Sequence, residues 1–207
     1  MIKISDDFFD GKISVMIQYF GWLRDFAPPL LNNGLYCVKK ICLVVCLCSA
    51  ISIGDSQAAQ SCNSQIPQST PTEDFIDHGD GTVTHKSTGL MWKRCEEGLS
   101  GLSCAIGTRI SKDFPSALEY ATTNNSYAGY NDWRLPNIKE LASIVEVSCE
   151  DPSLNLTFFP NSRADYFWSS SPASGTSAWR IRFAVGGSVY SAGKNYTYQI
   201  RLVRGGD

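Results

Sequence analysis

An α+β fold is predicted for residues 62–207 on three observations. Short alternating apolar and polar runs lie at both ends of this stretch. Two segments of helical periodicity lie between them. Four cysteines, Cys62, Cys95, Cys104 and Cys149, are spread along it. Strands, then helices, then strands read as one α+β domain. A hydrophobic content of 43% with 18% charged residues fits a folded protein.

The elements follow in order. Residues 60–72 (QSCNSQIPQSTPT) are polar with two prolines and read as an extended arm. Phe75–His85 (FIDHGDGTVTH) alternates on both sides of a Gly/Asp turn, which signals a hairpin. A second turn, Lys86–Gly89, leads to a third strand at Leu90–Trp92. Phe114, Ala117, Leu118 and Ala121 recur at i, i+3, i+4, i+7, which predicts an amphipathic helix over 113–124. Ile138, Leu141, Ala142 and Val145 repeat the spacing. Asn137 is placed to cap this second helix, with Glu140 as its capping-box partner, and Pro136 keeps the helix from starting earlier. After Cys149 the pattern returns to strands. Tyr166–Ser171 is the first. Trp179–Val185 alternates, with Trp179, Ile181, Phe183 and Val185 on one face and Arg180, Arg182 and Ala184 on the other. Gly186–Gly187 is a turn into Ser188–Ser191, and Tyr196–Arg204 is read as one closing strand.

The first third is different. Lys39–Lys40 precede a 13-residue apolar run, Ile41–Ile53, and small residues follow at Ala58–Ala59. Basic, apolar, then small is the order of a secretory signal, and the run is well under the ~20 residues of a bilayer span. Residues 35–59 are therefore expected to be a signal peptide that is removed, leaving no membrane span. Residues 1–34 are expected to be a misassigned or disordered leader. The mature chain would be exported to the periplasm, the cell surface or the medium.

Export agrees with an even cysteine count, which suggests two disulfides. Three connectivities are possible. Cys95 and Cys104 flank a Gly/Ser-rich loop that suits a local clip, which leaves Cys62 for Cys149. A four-cysteine zinc site is disfavoured because no close C-x-x-C pair is present.

Several segments in order carry a resemblance: FIDHGDGTVTHKSTGLMWKRC, GYNDWRLPNIKELASIV, NLTFFPNSRADYFWSSSP, AWRIRF and IRLVRGG. Together they resemble the C-terminal domain family of the Legionella collagen-like adhesin, from about residue 62 to the end. WRLPNIKEL with a terminal RLVR is also similar to the C-type-lectin-like superfamily. The resemblance implies a C-type-lectin-like α+β domain over 73–207, with antiparallel strands, two helices and a loop-rich second lobe. It also implies adhesion, because the founding adhesin binds sulfated glycosaminoglycans. The chain has no Gly-X-Y repeats, and so no collagen stalk.

Charge distribution points to a site. The net charge of -2 argues against a general nucleic-acid binder, but six Arg/Lys face two Asp/Glu in residues 160–207, against seven and thirteen in residues 62–159. Arg180 and Arg182 share one strand face. Lys194 and Arg163 lie in nearby loops, Arg201 in the last strand, and Arg134 in GYNDWRLP. These six are the candidate ligand residues for a sulfated or acidic polysaccharide, since arginine forks match sulfate and carboxylate groups. Tyr190, Tyr196 and Tyr198 are candidates to stack on sugar rings. Cofactors, metals and catalysis are not expected. Asp77–Thr82 reads as a turn rather than a calcium loop. Ser169–Ser171 lies outside G-x-S-x-G, and the two histidines, His78 and His85, flank the first hairpin. GYNDWRLP itself is read as structural, with Trp133 and Leu135 in the core and Arg134 paired to a carboxylate. The rival to a glycan-binding domain is a protein–protein assembly module.

Overall fold

The computed structural model describes residues 59–205, and within them two larger sheets, two two-stranded ribbons and two α-helices are held by two disulfides. The expected leader and signal peptide fall outside the described residues. Among the described residues there are thirteen short strands: β1 (Ser61–Cys62), β2 (Phe75–Asp77), β3 (Thr82–His85), β4 (Leu90–Lys93), β5 (Leu99–Ser100), β6 (Ile106–Gly107), β7 (Ser111–Lys112), β8 (Cys149–Glu150), β9 (Tyr166–Pro172), β10 (Ser177–Arg182), β11 (Ser188–Gly193), β12 (Tyr198–Gln199) and β13 (Val203–Arg204). Helices α1 (Phe114–Thr123) and α2 (Ile138–Ala142) lie between β7 and β8. The α+β class holds.

A four-stranded sheet runs in the order β13-β4-β3-β2 and a five-stranded sheet in the order β11-β10-β9-β12-β7. β1–β8 and β5–β6 form two-stranded ribbons. The predicted hairpin pairs Phe75 with His85 and Asp77 with Val83. The closing strand is not continuous, contrary to expectation. Its first part, β12, joins the larger sheet parallel to β9, and its second part, β13, pairs antiparallel with β4 in the smaller one. The segment between them crosses from sheet to sheet, so side chains on both of its faces meet protein.

The core has two parts. Phe75, Val83, Trp92, Leu141, Ile144, Phe159, Phe167, Ile181, Phe183 and Val203 form one. The other lies under α1, where Phe114, Ala117 and Ala121 meet Trp133, Trp168, Ala178, Ile200 and Leu202. Helix starts are set locally. The Asp113 carboxylate accepts from the Ser116 amide, and Pro115 sits where a missing N–H costs nothing. Asn137 and Glu140 close the predicted capping box. Both disulfides join the expected partners, Cys62 to Cys149 and Cys95 to Cys104.

β10 ends at Arg182, short of the predicted Val185, and the predicted alternation holds in the middle of that stretch and fades at its ends. Ile181 and Phe183 are 0% exposed, whereas Trp179 and Val185 are 37% and 64% exposed. β9 bulges against β10: Ala178 pairs with Pro172 and Arg180 with Trp168, so Ser169–Ser171 stand opposite Trp179 alone.

Candidate functional site

The stretch GYNDWRLPNIKEL ties α2 and the end of the chain together. Trp133 is buried and donates its indole N–H to the Tyr127 carbonyl. The Arg134 guanidinium forks onto both Glu140 oxygens at 2.8 Å and donates to the Gly205 carbonyl. The Arg134 backbone bridges Val203. Burial raises the Glu140 pKa, but the Arg134 hydrogen bond and the Asn137 amide outweigh it, and the carboxyl lies below its ordinary value. Asp132 accepts from Arg204, which lowers its pKa in turn. Arg134 thus has the structural partner expected of it.

Arg201 is 0% exposed, which removes it from any surface site. It donates to the carbonyls of Lys93 and Arg94 and to the Ser162 hydroxyl. Its guanidinium lies 3.8 Å from Glu96 and 4.8 Å from the centre of the Phe159 ring. Burial lowers its pKa to about 10, and Glu96 and Glu97 act against that shift. Alternation within Tyr196–Arg204 could not reveal this, because the burial comes from the crossing between sheets. Glu96 also receives Arg109 and the Arg163 backbone amide. Arg163 therefore stands beside the buried charge cluster. Lys194 donates to the Gly175 carbonyl and lies 5.5 Å from the Phe114 ring centre, at the end of the sheet capped by α1.

Arg180 and Arg182 are placed differently. The pairing registers put Tyr166, Trp168, Arg180, Arg182 and Tyr190 on one face of the larger sheet. Helix α1 covers the end of this face that carries Trp168 and Ala178. The other end is open. There the Arg180 guanidinium leans across β9 and lies 3.7 Å from the Tyr166 ring centre and 4.3 Å from that of Tyr198, with Tyr190 at 5.9 Å. The Tyr166 and Tyr198 centres are 5.4 Å apart. That separation is too small for rings stacked on opposite faces of a guanidinium, so Arg180 sits in the angle between them. Its Nε is buried without a hydrogen-bond partner, and the residue as a whole is half-buried. Arg182 is exposed and shares the Tyr166 ring at 5.5 Å. Among the described residues neither arginine pairs with a carboxylate.

The arrangement suits an anion next to a ring. Cation–π contact fixes Arg180 without neutralising it, and contributes roughly 0.5–2 kcal/mol. Tyr190, 46% accessible, borders the charge, and Tyr196, 58% accessible, stacks on Tyr198 at 6.4 Å. Of the six candidate residues, the structure brings Arg180 and Arg182 together at an open surface and commits Arg201 and Arg134 to internal contacts. Tyr166, the ring nearest to Arg180, was missed. Its signal was the alternation of β9, but its place beside Arg180 depends on a register that the sequence does not print.

Residues 81–204 match the Lcl C-terminal domain. No curated protein matches the chain.

Proposed function

Because the chain belongs to the Lcl C-terminal domain family, we propose that it is an exported, non-enzymatic binding domain that holds anionic or sulfated glycans on the open face of β10. Family membership fits an adhesion-like role. The observation that carries the finer reading is the Arg180–Arg182 pair, unpaired to any described carboxylate and set among Tyr166, Tyr190 and Tyr198. Sulfate or carboxylate groups would meet the arginine ends, and sugar rings the tyrosine faces. A C-type-lectin-like fold is part of the same reading, supported by the return of β13 to the smaller sheet and by the two helices. Export is supported by the two disulfides, and among the described residues no helix is long and apolar enough to cross a membrane.

The test is retention on immobilised heparin in a salt gradient, with R180A/R182A alongside. Two anion contacts per domain give a log–log salt slope of about 2, so the double variant is expected to elute at clearly lower salt than wild type. Wild type passing straight through at low salt defeats the glycan reading and makes a protein partner the leading idea. Equal retention of the two proteins moves the site off β10.

A further inference from the structure

The four edges of the two main sheets are not treated alike. β13 is covered, because the Arg134 backbone bridges Val203 on its outer side. β2 has three residues and ends in Asp77, which is paired with Arg94. β7 has two residues, one of them Lys112. β11 has six, SVYSAG, with no charge and no proline. It pairs with β10 in unbroken register from Ser188 to Gly193, so no bulge turns it aside. Shortness, charge, proline and bulges are the devices that keep sheet edges from pairing. Three edges carry one, and β11 carries none. Val189 and Tyr190 are each 46% exposed there.

We propose that β11 is the interface through which two copies of this chain associate, edge to edge and antiparallel, in one continuous ten-stranded sheet. Identical strands meeting this way around a two-fold axis form a closed, isologous contact. Antiparallel pairing satisfies the outward amides and carbonyls of both edges. Charge does not oppose it. The nearest like charges are the arginines of β10 in each copy, three strand spacings or about 14 Å apart. That is beyond the ~8 Å screening length at physiological salt. An arginine-rich or lysine-rich partner strand would fit less well, since it would meet Arg180 and Arg182 one strand in. A two-fold axis normal to the sheet sets both Arg180–Arg182 pairs on the same face. Six residues per copy make a small interface, so the association is weak and concentration-dependent.

Sedimentation equilibrium of the full chain, run from dilute solution to the solubility limit, tests this. The expected mass rises with concentration from one chain towards two. V189K/S191K, which places charge at two exposed positions of β11, is expected to stay at one chain with an unchanged circular dichroism spectrum. In wild type, amide exchange at Val189–Ala192 is expected to slow as concentration rises, a measurement that needs no variant. A mass fixed at one chain, a mass that exceeds two, or concentration-independent exchange overturns the proposal. So does a V189K/S191K variant that is folded and associates as wild type does.

Discussion

Glu146 is a buried anion with no cation beside it among the described residues. It is 2% exposed, and its Oε1 accepts from the Ser69 amide and from the Ser148 amide and hydroxyl, while Oε2 accepts from the Thr70 amide and hydroxyl. These contacts hold the N-terminal arm to the turn before β8. In Glu146→Gln, the amide oxygen can take the place of Oε1. The NH2 group then confronts the buried Thr70 N–H, two donors face to face. An orphaned buried donor costs about 1–3 kcal/mol, and the loss of charge assistance on the remaining bonds adds about 1. The expected loss is about 3 kcal/mol, or roughly 10 °C in Tm for a domain of this size. Burial alone would raise the Glu146 pKa, but the hydrogen bonds from Ser148, Thr70 and Ser69 outweigh it and the folded value lies below 4.5. A depressed folded pKa means that the stabilisation is fully present above the unfolded value and is lost as pH falls through the folded one. Urea titrations with disulfides intact, at neutral pH and at steps below pH 4.5, read both effects. The variant should start lower and show a shallower acid loss. A loss under about 1 kcal/mol at neutral pH, or an unchanged acid slope, refutes this account.

Two other perturbations are informative. Arg201→Met should cost about 3–5 kcal/mol in urea unfolding, because Glu96 would lose a buried partner and two carbonyls and a hydroxyl would lose their donor. The two disulfides should differ. Cys62–Cys149 spans 87 residues and Cys95–Cys104 spans 9, so chain entropy gives about 4.6 kcal/mol for the first and about 2.6 for the second. Serine pairs at each bridge, compared by urea midpoint, should rank in that order.

What could be read from the sequence was what depends on neighbours along the chain. Asn137 and Glu140 are three residues apart and define a helix start without help from elsewhere. The same holds for the hairpin at Phe75–His85 and for the faces of β10. The choice of cysteine partners was legible because one pair was near enough to close locally. What failed depends on neighbours across the fold. Arg201 looked like a strand-face cation, and its burial is decided by the passage between two sheets. Arg134, in a stretch read as structural, and Arg180, on the candidate strand face, are the same residue type. Arg134 finds Glu140 six residues on, as expected, whereas Arg180 finds only rings that the register of β9 brings to it.

The crossing from β12 to β13 also bears on how such a chain matures. Arg201 bonds to a carbonyl 108 residues earlier, and β4 has no partner on that side until Val203 arrives. Closure of both sheets therefore depends on residues 198–204, which are far along the chain from the strands they join. Pairing between segments so distant along the chain forms slowly, so the two sheets are joined late in folding, and a disturbance at residues 198–204 reaches both at once.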